Sequence, residues 1–262
     1  MKMLKILQEN QNVITAENRE SFELLNQILD FAQNDLMDEL NKVEFGKDDP
    51  SLLYVFFLAR AIKNGISIFT LSSEGLNEDT SILLRALIEQ VGYIYFIATL
   101  EDKSKTLEQF GHHEYCRVKR YRKQIKDVSP GHQFPDDDVE KKCEEYQNKF
   151  HKNDIYWTGR NTSDILKEVI RKFPNKDFGR LYLKWSLLSN FVHSSQMAFE
   201  SIVQPEFTIS LAPDPSQLRE DLIWTDVCLL HILELINLEF ELAFGSILQK
   251  FLDKTVEEIK AF

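Results

Sequence analysis

The scarcity of glycine and proline constrains the fold of this chain more than any other feature. The 262 residues include nine glycines and seven prolines, roughly half the frequency of an average protein. A β-sandwich or barrel needs a turn signal every ~8–12 residues, so these few turn-forming residues argue against a many-stranded sheet. Hydrophobic residues make up 43% of the chain, enough for a sizeable core. The sequence therefore predicts an all-α protein.

Stretches with helical periodicity lie between the glycines and prolines. One apolar stripe over about 16–44 predicts a helical segment within residues 1–45. Longer apolar stretches near 50–71, 80–101, 177–199 and 216–250 are expected to form the core. Residues 207–211 (FTISL) fit either a short strand or an irregular crossing. We predict one helical domain over 1–262, a bundle of about eight helices with its core over about 50–252.

Charge and cysteine content indicate where the protein works. A net charge of −11 repels nucleic acid at long range, so such binding would need a local basic patch. The cysteines at 116, 143 and 228 are widely spaced and odd in number, which argues against a disulfide framework and favours a reducing compartment. The apolar segments 52–58 and 91–100 are shorter than the ~18 residues of a membrane span, and the N-terminus lacks a signal-peptide pattern. We expect a cytoplasmic protein without a membrane segment.

The most unusual polar residues of the apolar stretches are Arg85 and Glu89. They are four residues apart, so they share one face of the predicted helix near 80–101. They could form a partly exposed intrahelical ion pair, worth about 0.3–0.5 kcal/mol. Alternatively, they point into a cleft between helices, where both charges require partners or a ligand.

A second polar stripe lies on the predicted helix 177–199. Tyr182, Ser186, Ser189 and His193 are spaced four, three and four residues apart, which places them on one face. Buried hydroxyl groups must be hydrogen-bonded, so the row either lines a site or allows close helix packing with His193 bonded to a carbonyl group.

A basic run interrupts the acidic background at residues 117–126 (RVKRYRKQIK). Its six cations, with no acid between them, are Arg117, Lys119, Arg120, Arg122, Lys123 and Lys126. The run is typical either of a solvated helix balanced by acids such as those just downstream, or of a face that contacts RNA or phosphate.

Motifs for metals and cofactors are missing from the sequence. No Walker loop, dinucleotide-binding glycine motif, nucleophile elbow or His-Glu-x-x-His zinc motif is present. We therefore predict no cofactor and no metal site.

Three segments carry a family resemblance: LLRALIEQ (83–90), YWTGRN (156–161) and YLKWSLLSNFVHSS (182–195). In their order and spacing the chain resembles the bacterial family of unknown function DUF5677 over about residues 50–245. That family is similar to the helical HEPN-type domains, many of which are dimeric ribonucleases of toxin–antitoxin and phage-defence systems. The resemblance implies a HEPN-like core, a homo-oligomer, RNA as the substrate, and a cognate antitoxin or other partner protein. The Arg-to-His spacing of four to six residues that marks catalytic HEPN proteins is absent here.

The resemblance points to Arg85, Glu89, Ser189 and His193 as the site. In a metal-independent cleavage of RNA, His193 would act as general base and Arg85 would stabilise charge on the phosphate. Tyr182 would supply or relay a proton, and Trp157 would stack a base. The candidate nucleic-acid contacts are Arg117, Arg120, Arg122, Lys123, Trp157 and Arg160. Two functions stay open: a HEPN-like toxin or phage-defence protein acting on RNA, or a non-catalytic helical module that binds a partner protein or small ligand in the same cleft.

Overall fold

The computed structural model describes residues 14, 16–135, 137–151, 155–192 and 214–261, apart from the side chains of residues 190–192. Its helices are α1 (Arg19–Phe31), a π-helical turn (Ala32–Leu36), α2 (Met37–Leu40), α3 (Ser51–Ser73), α4 (Asn77–Ala98), α5 (Thr106–Val128), α6 (Val139–Lys149), α7 (Thr162–Lys172), α8 (Phe178–Val192), α9 (Pro215–Glu239) and α10 (Gly245–Ala261). No strand occurs within these ranges. The all-α prediction is confirmed, while the segment 207–211 lies outside the described residues.

The N-terminal helical region joins the main core. Phe22, Leu25 and Leu29 of the predicted stripe are buried in α1, and the same stripe continues through Leu36 and Leu40 across the π-helical turn. These side chains pack α1 against α3, α9 and α10. The main core therefore begins before residue 50.

Helices α3 and α4 form the centre of the bundle. Helix α3 begins after Asp49-Pro50, where the Asp49 carboxylate accepts a hydrogen bond from the Ser51 amide at 2.8 Å. A Cβ atom on Gly65 of α3 would lie 2.9 Å from Leu29, and one on Gly92 of α4 would lie 2.9 Å from Leu166. Glycine therefore allows these two close helix contacts without a shift of the leucine side chains.

Both central helices reach the length and apolarity of a membrane span. Helix α3 has 23 residues and a mean hydropathy of 1.5 over its most apolar window, and α4 has 22 residues and 1.4. The sequence-based prediction that these stretches are too short is therefore wrong. In the bundle 44% of the α3 window and 61% of the α4 window are buried, and largely buried core helices of soluble proteins meet the same criterion.

The C-terminal helical stretch is divided in two, which corrects the predicted single helix over 216–250. The chain turns between Phe240 and Phe244, where Glu241 has a φ of 51°. The Asn237 side chain accepts a hydrogen bond from the Phe244 amide at 3.0 Å, and its carbonyl oxygen accepts one from the Leu242 amide at 2.9 Å. These bonds satisfy backbone groups at the turn, so that α10 folds back onto α9 and α1.

Helices α5 and α6 form an antiparallel hairpin with a small core of its own. Its buried residues are Cys116, Cys143 and Tyr146. Cys116 and Cys143 form a disulfide across the hairpin, with their Cα atoms 4.7 Å apart. The expectation that the cysteines stay unpaired is wrong for these two, because the hairpin brings together positions 27 residues apart. Cys228 is free and buried in α9.

A buried ion pair positions α8 against α9. The Lys184 ammonium group lies 2.9 Å from Glu220 and 3.0 Å from the fully buried Asp221. Ser81 of α4 donates a hydrogen bond to Asp221 at 2.7 Å. Burial raises the pKa of Asp221, and the charge of Lys184 opposes that rise. These groups thus join α9 to α4 and α8, the two helices that carry the candidate site.

Candidate functional site

Arg85 and Glu89 form the predicted ion pair on α4. The Arg85 Nη1 and Glu89 Oε1 atoms lie 3.1 Å apart, and the two side chains are 21% and 25% exposed. The pair is therefore neither fully buried nor freely solvated. It lies at the edge of the contact between α4 and α8.

Helix α8 contributes two side chains to the same place. The Arg85 Nε atom donates a hydrogen bond to the Ser189 hydroxyl oxygen at 3.1 Å, and the Trp185 indole N–H donates one to Glu89 at 3.0 Å. The Arg85 guanidinium carbon lies 5.1 Å from the centre of the Trp185 ring. We call Arg85, Glu89, Trp185 and Ser189 the Arg85 cluster. The structure brings together three of the predicted site residues and adds Trp185.

Part of the Arg85 guanidinium remains available to a ligand. Arginine has five N–H donors, and the bonds above engage Nε and Nη1. The Nη2 group forms no hydrogen bond with any residue that the structure describes. Because a carboxylate, an indole ring and a hydroxyl group fix the guanidinium plane, its free edge is pre-organised for a planar or phosphate-like anion.

Trp185 was missed by sequence reasoning, although its position carried a usable pattern. It lies four residues before Ser189, so the two share a helix face, and Ser189 donates a hydrogen bond to the Trp185 carbonyl oxygen at 3.1 Å. A tryptophan on an apolar helix is ordinarily read as a core residue. Here its N–H group acts on Glu89 and its ring acts on Arg85, so it orients both charges.

Tyr182 lies beside the Arg85 cluster without reaching Arg85 itself. Its hydroxyl group is 3.3 Å from the Ser163 hydroxyl oxygen of α7, and its ring stacks on Trp185 with centroids 6.0 Å apart. Trp185 therefore separates it from the arginine. Its role as a proton donor or relay stays a prediction.

His193 lies outside the described residues, so the structure provides no test of its predicted role. Ser186 of the same predicted stripe is exposed on α8. Of the four residues in the predicted row, Tyr182 thus contacts α7, Ser186 is exposed to solvent and Ser189 belongs to the Arg85 cluster.

Trp157 is a core residue, which corrects its predicted role in stacking a base. The side chain is 7% exposed, and its ring packs against Phe57, Tyr93 and Phe110. Its carbonyl oxygen accepts a hydrogen bond from Gln109 at 2.8 Å. The indole therefore offers no open face to a nucleotide.

The local backbone explains why residue 159 of the YWTGRN segment is a glycine. Gly159 has a φ of +73°, and a Cβ atom there would lie 2.7 Å from the ring of His151. A side chain would be strained in that backbone conformation and would also clash. Arg160, the next residue, is exposed, with its guanidinium carbon 5.7 Å from the Phe96 ring. This segment anchors the turn before α7 to the core.

The basic run occupies α5, and most of it borders one groove. The groove has a volume of about 850 Å³ and lies between α5 and the residues that lead into α6. Its cationic lining residues are Lys119, Arg120, Arg122, Lys123 and Lys126, and its acidic ones are Asp137 and Glu140. We call it the hairpin groove. Three predicted nucleic-acid contacts, Arg120, Arg122 and Lys123, are therefore brought together.

Arg117 and Arg160 are not among the lining residues of the hairpin groove. Arg117 is exposed and paired with Glu114 of its own helix at 2.6 Å. The structure thus divides the predicted nucleic-acid contacts into a grouped set on α5 and residues that lie elsewhere.

Metal ligands do not gather in the part of the chain that the structure covers. Within those ranges no group of three or more histidine, cysteine, aspartate or glutamate side chains could hold a metal ion. His231, the histidine of α9, is partly exposed, and its ring contacts those of Phe178 and Tyr95. Burial lowers the pKa of His231 to about 4, and the charge of Lys176 contributes to that shift. It is therefore a neutral core residue at physiological pH.

Comparison with known protein families supports the DUF5677 part of the resemblance and does not extend to the HEPN-type domains. A family model described as "Family of unknown function (DUF5677)" matches residues 52–208. The chain belongs to this family. The DUF5677 match runs from α3 through α8 and so includes all of the Arg85 cluster and the hairpin groove. Neither a curated protein nor a solved structure gives a significant match.

Proposed function

We propose that this DUF5677 protein acts on RNA at the Arg85 cluster. The resemblance to HEPN-type domains suggests the substrate and the reaction, a metal-independent cleavage. The observation that carries the proposal is the Nη2 edge of Arg85, which has no partner among the described residues, while the cation is 21% exposed and already held in place by Glu89, Trp185 and Ser189. An arginine fixed in this way can receive a phosphate without first reorganising.

The chemistry assigned to Arg85 is stabilisation of negative charge. In RNA cleavage a base removes the proton of a 2′-hydroxyl group, the 2′-oxygen attacks phosphorus, and the 5′-oxygen leaves and takes up a proton. Charge develops on the non-bridging phosphate oxygens, where two N–H donors of Arg85 Nη2 would bind. His193 is the base that we propose, by resemblance. Glu89 and Trp185 are positioning residues, since they hold the guanidinium group.

Expression in bacteria tests this proposal. Induction of the wild-type protein should arrest growth and fragment cellular RNA, whereas induction of Arg85→Ala and His193→Ala should do neither. Arg60→Ala is the matched control, because Arg60 is an exposed arginine of α3 and its loss changes the net charge equally. Equal RNA fragmentation by the wild-type and Arg85→Ala proteins would contradict the proposed role of Arg85.

A non-catalytic module is the second candidate function. It is favoured by one observation: the charge of Arg85 is matched by that of Glu89, 3.1 Å away. Such a module would bind a small ligand or partner protein at the same cleft. In that case wild-type protein would leave RNA intact at every expression level, and Arg85→Ala would change ligand binding alone.

The proposed oligomeric state and partner follow from the resemblance to HEPN-type domains, and the proposed location follows from the sequence. We place the protein in the cytoplasm, although it holds the Cys116–Cys143 disulfide and such bonds are uncommon in reducing compartments. We expect a homo-oligomer that is regulated by a cognate antitoxin or another partner protein. Sedimentation equilibrium of the purified chain measures its oligomeric state directly. A monomer across the micromolar range would contradict the homo-oligomer.

A further inference from the structure

The hairpin groove concentrates positive charge in an acidic protein. Its lining includes five cationic side chains and two carboxylates, a net of three positive charges, whereas the whole chain carries −11. A volume of about 850 Å³ falls within the usual size of ligand sites. The groove therefore differs from the rest of the chain in both charge and shape.

Three of its cations have no acidic partner. Lys119, Lys123 and Lys126 follow one another at four and three residues, so they share one face of α5. None of them forms an ion pair with any residue that the structure describes. At a rise of 1.5 Å per residue they extend over about 10 Å of the helix. A row of this length suits several linked anionic groups better than a single one.

Arg122 differs from the three lysines because it is paired with an acidic residue. Its two terminal nitrogens donate to the two carboxylate oxygens of Asp137 at 2.8 and 2.5 Å. It therefore joins α5 to the residues before α6, and its charge is already neutralised. The downstream acid Asp137 thus balances Arg122, and the three lysines have no ion-pair partner among the described residues.

Two cations lie close to the ring of Phe134, which lines the groove. The Arg122 guanidinium carbon and the Lys126 ammonium nitrogen lie 5.2 and 5.9 Å from the centre of the Phe134 ring. Stacking of a nucleobase would have to displace these cations. Contacts in the groove should therefore be made to a backbone of phosphates and be nearly independent of base sequence.

The disulfide holds the walls of the groove. With the exception of Gln147, every lining residue lies between Cys116 and Cys143 in the chain. The hairpin has little other core, since its buried cluster consists of these two cysteines and Tyr146. The lysine row and the opposite wall are thus linked covalently, away from the main core.

We propose that the hairpin groove binds the phosphodiester backbone of single-stranded RNA through Lys119, Lys123 and Lys126. The choice of RNA rests on the proposed function, while the preference for linked phosphates rests on the groove alone. This site is separate from the Arg85 cluster, with which it shares no residue. It would hold a strand while another part of that strand reaches the Arg85 cluster.

Fluorescence anisotropy with a labelled 2′-O-methyl RNA oligonucleotide tests the proposal. This probe has no free 2′-hydroxyl group, so binding is measured without cleavage. Three phosphate contacts predict that Kd rises roughly 20-fold between 50 and 200 mM salt. Replacing all three lysines by glutamine should weaken binding at 50 mM salt and nearly abolish this salt dependence. The control replaces Lys63, Lys250 and Lys260, which are exposed on α3 and α10, with the same change in charge.

The outcomes separate this site from the Arg85 cluster. Unchanged affinity in the Lys119/Lys123/Lys126 variant would overturn the proposal, even if Arg85→Ala abolishes cleavage. Equal competition by polyglutamate would also overturn it, because it would indicate an acidic protein as the occupant. Loss of affinity in that variant, with normal affinity in the Lys63/Lys250/Lys260 control, would support the groove whether or not the wild-type protein cleaves RNA.

Discussion

Replacing Asp226 by asparagine should stabilise the protein at neutral pH and change its stability little near pH 4. Asp226 is completely buried in α9, and neither carboxylate oxygen has a hydrogen-bond partner among the described residues. Burial, reinforced by the charge of Glu258 from α10, raises the pKa of Asp226 well above its ordinary value. The folded state therefore keeps this carboxyl group protonated at pH values where the unfolded chain has lost the proton.

The magnitude follows from the difference in bound protons. A carboxyl group in the unfolded chain has a pKa of about 3.9. The contribution of Asp226 to stability is therefore fully present below about pH 4 and is lost as the pH rises towards its folded-state pKa. The loss is about 1.4 kcal/mol per pH unit. Asparagine does not ionise, so the advantage of the variant should grow by about 3 kcal/mol over two pH units.

Urea unfolding followed by far-UV circular dichroism at about pH 4.5, 5.5 and 6.5 provides the measurement. Asp253→Asn, at an exposed position of α10, is the matched control and should show no such trend. Glu258, whose pKa is also raised by burial, is present in all three proteins, so its own titration largely cancels. A difference between wild type and Asp226→Asn that is constant with pH would refute the reasoning, because the carboxylate would then be charged in the folded state.

Two further predictions concern packing and the disulfide. Gly92→Ala should lower the free energy of unfolding by up to about 2 kcal/mol, because the new Cβ atom meets Leu166 at 2.9 Å. Gly111→Ala should raise the free energy of unfolding by about 0.5–1 kcal/mol, because nothing lies within 4 Å of the new Cβ atom. Equal effects of the two substitutions in thermal melts would contradict this difference. Cys143→Ser opens the loop closed by a disulfide that joins positions 27 residues apart, which corresponds to about 3–4 kcal/mol in the chain-entropy account. Amide hydrogen exchange should then accelerate in α5 and α6 while α3 and α4 keep their protection, and unchanged exchange in the hairpin would show that Cys116 contributes nothing through this bond.

The sequence predicted those parts of the fold that depend on local periodicity. The apolar stripe from Phe22 to Leu40 is buried as expected. The turn after α9 could not be predicted, because residues 240–244 are mostly apolar and continue the helical pattern. The chain turns there through hydrogen bonds to Asn237, a tertiary detail that spacing does not show.

The candidate site shows the same limit. Arg85 and Glu89 were recognisable because charged residues in an apolar helix require partners. The role of Trp185 depends on its distance from α4, which the sequence of α8 alone does not contain. The disulfide was not predicted for a similar reason, because the pairing of Cys116 with Cys143 depends on how α5 and α6 pack against each other. Trp157 was assigned to RNA although burial places it in the core.

The central claim is that Arg85 acts on RNA, and cleavage of an end-labelled RNA by the purified protein in the presence of EDTA tests it most directly. Wild-type and Arg60→Ala proteins should cleave the RNA at equal rates, and Arg85→Ala should be slower by about 10²–10³-fold, the usual loss when a donor to developing charge is removed. Absence of cleavage by the wild-type protein, or equal rates for wild type and Arg85→Ala, would contradict the account.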